Sequence, residues 1–267
     1  MTSGQRNDSS RIQYVSDPVP VNMGDAWYRY ATPDHFWMSR RFQVLQRLEK
    51  PDNSLRWAEV GCGNGAVQLQ MYEQHKIEVD GIELNEFALQ NNLSEKSRLF
   101  CYDVFDCAPE MKEQYDRVIL LDVLEHIDDH QRFLDAVLFL LRPGGTLILN
   151  VPAFSHLWSL YDVAQGHVRR YRFADLRQLV DRTPSISLRV WTYWGLPLVP
   201  LLLARKGVLK LSHPDDVIEK GFAAPGQTTN RILTGLARCE ALPQHFYGTS
   251  LMAVIDKSGQ TVNTQQM

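Results

Sequence analysis

The stretch Trp57-Ala-Glu-Val-Gly-Cys-Gly-Asn-Gly65 sets a short apolar run, an acid and three alternate glycines in immediate succession. Arg56 to Val60 reads as a buried strand. Gly61, Gly63 and Gly65 then let the chain turn sharply and approach a ligand before a helix opens near Asn64. A negative or electron-rich ligand group would meet the N-terminus of that helix. The pattern predicts a nucleotide-binding turn at the end of a strand.

Two ligand classes compete for such a turn. Gly61, Gly63 and Ala66 also satisfy the dinucleotide fingerprint, which would make the chain an NAD-dependent oxidoreductase. The other ligand is S-adenosylmethionine (SAM), whose ribose and amino-acid end would lie over the glycines. Glu59 separates the two: a carboxylate there repels a pyrophosphate but can orient a cationic amino-acid end. The second apolar run, Ile77 to Ile82, ends in Glu83, placed to grip ribose hydroxyls in either class.

Further along, Leu99-Phe-Cys-Tyr-Asp103-Val-Phe105 carries an acid between apolar residues, and Tyr115 to Asp122 runs into Val123-Leu-Glu-His126. Arg142-Pro-Gly-Gly145 and the strand Thr146 to Val151 follow. With Glu59, Gly61, Gly63 and Gly65 as a first motif, this series resembles the class I SAM-dependent methyltransferases. The resemblance implies a Rossmann-like α/β fold: a seven-stranded, mostly parallel sheet with an antiparallel last strand and a helical insertion between the last two strands. It implies SAM as cofactor, held by Glu59, Gly61, Cys62, Gly63, Gly65, Glu83, Leu84, Asp103, Val104 and Asp122.

Residues 1–24 are expected to form a flexible leader, 25–257 the catalytic domain and 258–267 a flexible tail; within the domain, 25–50 would form N-terminal lid helices and 194–244 the insertion. Helical spacing of Phe133, Val137, Leu140 and Leu141 assigns those side chains to the core. With 44% hydrophobic residues the chain can bury a large core, and a net charge of −3 offers no basic footprint for nucleic acid. The four cysteines show no C-x-x-C spacing, which points to a reducing cytoplasm. No run has the length of a membrane span.

Substrate choice is expected after residue 152. Leu157 to Tyr171 gathers Trp158, Tyr161, Asp162, His167 and Arg170, and resembles a bacterial subgroup with a G-H-x-R-R-Y run acting on small metabolites, glycans or lipid-linked acceptors. Trp158, Tyr161 and Arg170, with Tyr28 and Trp37 from the aromatic N-terminal segment, are the expected acceptor contacts. His167 and His126 are the candidate bases, since imidazole titrates near neutrality. Asp122-x-x-Glu125-His126 also resembles a metal-ligand set of ubiquinone-pathway enzymes, but its first acid is Asp, and no metal is expected. The apolar 196–210 segment with its basic edge suits an apolar acceptor, peripheral membrane contact or a homodimer. The expected reaction is methyl transfer to a small molecule, O-methylation ahead of N- or C-methylation. A non-catalytic SAM-binding partner is the remaining alternative.

Overall fold

The apolar runs become the centre of a single sheet in the computed structural model, which describes residues 11–19, 30–213, 216–222 and 226–259. In chain order the larger elements are β1 (Ile12–Tyr14), α1 (Phe36–Leu48), β2 (Trp57–Val60), α2 (Ala66–His75), β3 (Val79–Glu83), α3 (Glu86–Gln90), β4 (Leu99–Cys101) and β5 (Tyr115–Leu121). They continue with α4 (His130–Leu140), β6 (Leu141–Pro152), α5 (Leu160–Ala164), α6 (Phe173–Asp181), β7 (Ile186–Trp194), α7 (Val199–Leu209), α8 (Val217–Phe222), α9 (Gln227–Arg238) and β8 (Ser250–Lys257). The sheet order is β1-β4-β3-β2-β5-β6-β8-β7. β8 is antiparallel to both its neighbours, and the other pairings are parallel.

The sheet has eight strands where seven were expected. The extra one, β1, lies within the supposed leader and pairs with β4. Ile12 is buried against Cys62, Leu89, Leu99 and Cys101, and the Arg11 guanidinium donates to the Ser94 carbonyl at 2.6 Å. A three-residue strand with one buried side chain leaves no period to read in sequence. Residues 1–10, 20–24 and 260–267 of the expected leader and tail lie outside the described residues.

Alternation along β5 shows how the sheet is covered. Val118 and Leu120 join one core with Leu134, Val137 and Leu140 of α4 and Leu176 and Leu179 of α6. Ile119 and Leu121 face the other way, toward Phe42 and Leu45 of α1 and Val67 and Met71 of α2. Each of these β5 residues is buried, which contributes about 1.5–3 kcal/mol per side chain. The turn expected at Arg142–Gly145 falls inside β6, which begins directly at the end of α4 with a register shift opposite Tyr115 and Arg117.

The insertion folds into α7, α8 and α9. Pro197 and Pro200 each stand in the first turn of a helix, where a missing N–H costs nothing. Residues of α7 and α8 cover the carboxyl ends of the parallel strands, so strand ends and insertion together enclose one cavity.

Candidate active site

The cavity measures about 540 Å³ and opens at the ends of β2, β3, β4, β5 and β6, where Val60, Glu83, Tyr102, Asp122 and Pro152 line it. Gly61 and Gly63 line it too, both with positive φ (69° and 52°). A Cβ on Gly61 would stand 2.4 Å from Val123 Cγ2, so only glycine lets the turn pack against the end of β5. Gly65 caps α2 and does not line the cavity; its bare α-carbon is instead needed by the Asn92 side chain. Cys62, Leu84 and Val104 line the wall as expected, and burial pushes the Cys62 thiol well up.

Three acids in this wall differ in how they are held. Glu83 accepts from Gly63 N at 3.0 Å, Leu84 N at 2.8 Å and Asn85 N at 3.0 Å. A carboxylate can accept about four hydrogen bonds, so capacity remains toward the cavity. Asp103 Oδ1 accepts from Phe105 N at 2.9 Å and caps the short turn Val104–Asp106. Glu59 is buried and its Oε2 meets no protein donor. Burial, opposed by Arg41 and aided by Glu83, pushes its pKa up to about 8.

Asp122 ends β5 in a left-handed conformation (φ 57°), rare for a non-glycine residue and frequent at functional sites. Its Oδ2 meets Arg41 at 2.6 Å and its Oδ1 accepts from Asn150 at 2.8 Å, while Asn150 in turn accepts from Trp194 Nε1 at 2.8 Å. Arg41 escaped the sequence reading. Its only local signal is a cation on the apolar face of α1, one turn after Trp37, whose ring it overlies at 5.0 Å.

The two candidate histidines meet. Their ring centroids are 4.8 Å apart in an edge-to-face arrangement, although 41 positions of chain separate them in sequence by number. His167 Nδ1 lies 3.0 Å from Asp162 Oδ1, and its Nε2 points at Glu125 Oε1, 3.9 Å away. Burial and then His167 lower the His126 pKa to about 4, leaving it a neutral ring. Burial and the nearby Asp122 raise Glu125 well above the carboxylate range, and neither of its oxygens has a hydrogen-bond partner. Asp162 is the hub: it also accepts from Ser159 N at 2.8 Å, Ser159 Oγ at 3.1 Å, and Arg170 Nε and Nη2 at 2.7 and 3.1 Å.

On the acceptor side Trp37, Tyr161 and Arg170 line the cavity, whereas Trp158 does not. Arg170 is committed to Asp162 and the Ala153 carbonyl, so it braces the wall. Tyr28 lies outside the described residues. Residues not anticipated here include Phe133, read as core, which both lines the cavity and packs edge-on against Phe105. Leu198, Leu201, Leu202 and Leu209 of the insertion make the far wall apolar. The metal-ligand set suggested by Asp122, Glu125 and His126 is not assembled, since Arg41 and Asn150 occupy Asp122; instead His167 joins Glu125 and His126, their ligating atoms within 4.8 Å of one another.

A buried acid with one unpartnered oxygen beside a glycine turn, followed by a second acid with spare acceptor capacity, fits the cationic amino-acid end and the ribose of SAM. A pyrophosphate would gain no such partner from Glu59, whose ionised form would repel it. Residues 34–184, more than half of the chain, match the family described as methyltransferase domain. A tRNA U34 carboxymethyltransferase of Desulfotalea psychrophila is 34% identical over 126 residues, 44% of this chain and 39% of that protein. A ubiquinone biosynthesis O-methyltransferase of Idiomarina loihiensis is 29% identical over 173 residues, 56% of this chain and 69% of its own length. Among solved structures, a SAM-dependent methyltransferase of Thermotoga maritima shares the fold at a TM-score of 0.57 and 15% identity, covering 88% of this chain and 96% of that one. A glycine turn shaped against β5, the acids around it and the family match converge on one conclusion: the chain belongs to the class I SAM-dependent methyltransferases.

Proposed function

We propose that this chain transfers the methyl group of SAM to a hydroxyl oxygen of a small acceptor that carries an apolar portion. When bound, SAM supplies a sulfonium-activated methyl group. Glu59 would pair with its ammonium, Glu83 with the ribose hydroxyls, and Asp103 with the adenine amino group. Gly61 and Gly63 give the backbone room for close approach, and Cys62, Leu84 and Val104 close the wall. Asp122, an expected cofactor contact, lines the cavity, and its carboxylate also holds Arg41.

The observation that carries the reaction type is the Asp162–His167 pair. A carboxylate 3.0 Å from Nδ1 favours the tautomer with hydrogen on Nδ1, which leaves a lone pair on Nε2, 3.9 Å from Glu125 Oε1 in the cavity wall. That nitrogen can take the proton of an acceptor hydroxyl as the oxygen attacks. The leucines of α7 and Trp37 supply apolar lining, which suits an acceptor with an apolar part, and the similarity to ubiquinone biosynthesis O-methyltransferases supports transfer to oxygen. The absence of a basic footprint, with a net charge of −3, weighs against a tRNA acceptor.

The test is a radiolabelled SAM assay against catechols and phenols bearing apolar chains. His167→Ala is expected to cut turnover by about 10²–10⁴ while SAM affinity stays within about twofold. Unchanged turnover would remove His167 as the base. The orphaned oxygens of Glu125 favour a second reading, in which a divalent ion held with His126 and His167 activates the hydroxyl. Activity abolished by chelator and restored by one divalent ion would select it.

A further inference from the structure

The face that α7 turns to the cavity is not apolar throughout. Leu198, Leu201, Leu202, Arg205, Lys206 and Leu209 all line the cavity, in i, i+3, i+4, i+7, i+8, i+11 spacing, so one side of the helix and of the turn before it forms this wall. Leucines stand at its two ends and two consecutive cations between them. The Arg205 guanidinium lies over the Phe36 ring at 5.8 Å, and its Nη1 donates to the Gly221 carbonyl of α8 at 3.1 Å. Lys206 Nζ donates to the His156 carbonyl at 3.0 Å. Backbone carbonyls fix a cation in place without neutralising its charge. Two further arginines of the wall, Arg41 and Arg170, meet the carboxylates of Asp122 and Asp162.

Charge is divided across the cavity. Among the described residues that line it, the acids Glu59, Glu83, Asp103, Asp122 and Glu125 all stand in or just beyond strands β2 to β5, and α7 and α8 bring none. The acids at α8 stay outside: neither Asp216 nor Glu219 lines the cavity, and Asp216 pairs with Lys220 at 2.8 Å. Cations among leucines, shielded from bulk water, attract an anion more strongly than cations in water do. A guanidinium offers paired N–H donors that match the oxygens of a carboxylate or phosphate, and an ammonium adds a point charge beside it. Resting on the reading that the acceptor has an apolar part, we propose that Arg205 and Lys206 bind an acidic group, carboxylate or phosphate, carried by that acceptor. The substrate class is then an amphipathic anion: its apolar part lies along the leucines of α7 and its acid meets the two cations between them.

Calorimetric titration of the full chain, with S-adenosylhomocysteine bound, tests this with three phenols: hydroxyphenylbutanoate, its primary amide, and hydroxyphenylbutyl phosphate. At least one of the two anions is expected to bind about tenfold tighter than the amide, and the tighter anion identifies the acidic group. In Arg205→Gln/Lys206→Gln the anions and the amide should bind alike, within about twofold. Titration with S-adenosylhomocysteine verifies that the double variant remains folded. Lys206→Gln alone, which alters only a half-buried side chain, should reduce the anion preference about threefold. Equal binding of anions and amide by the wild type, or no binding of either anion, would overturn the proposal. So would a preference for the anion that survives in the double variant. Binding is read here without turnover, so an anion preference that depends on Arg205 and Lys206, with no methylation of any of the three phenols, would support the anion site and remove the hydroxyl-transfer reading alone.

Discussion

Glu59 has to be ionised to hold an ammonium group, yet burial pushes its pKa up to about 8. At pH 7 it is therefore mostly a neutral acid, and pairing with the cofactor must expel its proton. The bound state carries fewer protons than the free one, so affinity rises with pH up to about 8 and falls below it, by up to about tenfold per pH unit. Calorimetric titration with S-adenosylhomocysteine at pH 7, in phosphate and in Tris, should give different enthalpies that correspond to release of about one proton. Glu59→Gln should abolish the difference. Arg41→Met should move the affinity midpoint to higher pH, because the Arg41 charge opposes the rise in Glu59 pKa. A wild-type enthalpy independent of buffer would take Glu59 away from the ammonium. That Glu59 and Glu83 belong with the glycine turn was legible because all lie within one strand-turn-helix-strand segment. Arg41 was not, because its partner Asp122 stands 81 residues away and no local pattern links them.

At the level of elements, backbone packs closely on backbone just before β8 begins. A Cβ on Gly248 would fall 2.3 Å from the Trp194 carbonyl oxygen and 2.7 Å from the Trp194 nitrogen, and backbone at the end of β7 has little freedom to give way. Gly248→Ala is expected to cost about 3 kcal/mol or more, with the β7–β8 edge losing amide protection first. Gly235 in α9 is the contrast, since a Cβ there meets nothing within 4 Å and its backbone is helical. Gly235→Ala should stabilise by about 0.5–1 kcal/mol in urea unfolding. Equal effects of the two substitutions would contradict the packing. The central strands were readable because each is an apolar run buried on both faces, and α4 because its period is helical. β1 was not, having one buried side chain. In the insertion, the apolar 196–210 segment was visible as a run, but which side of α7 meets the cavity depends on the fold around it.

Across the whole molecule, Asp162 ties together segments that the sheet alone would leave independent. It holds Ser159 at the start of α5, His167 in the loop that follows and Arg170, which reaches back to the Ala153 carbonyl after β6. Through His167 the same group faces Glu125 at the end of β5. Sequence showed these polar residues as one block, but their convergence on a single buried carboxylate, with Glu125 alongside, arises only when β5 and β6 lie side by side. Burial alone would raise the Asp162 pKa; the hydrogen bond from His167 and the charge and hydrogen bonds of Arg170 outweigh it, and the net value is lowered to about 2. A depressed acid stabilises the fold above its unfolded pKa of about 3.9 and loses that contribution as pH falls through its folded value. The wild type should therefore lose about 2 kcal/mol of unfolding free energy between pH 4 and pH 2 through this group. Asp162→Asn should be less stable at pH 7, because Arg170 is left buried without its counter-charge, and should show a correspondingly flatter loss below pH 4. Urea titrations of both proteins from pH 7 to pH 2 measure the difference. Parallel curves would mean that Asp162 is not the charge that binds the acceptor loop to the sheet.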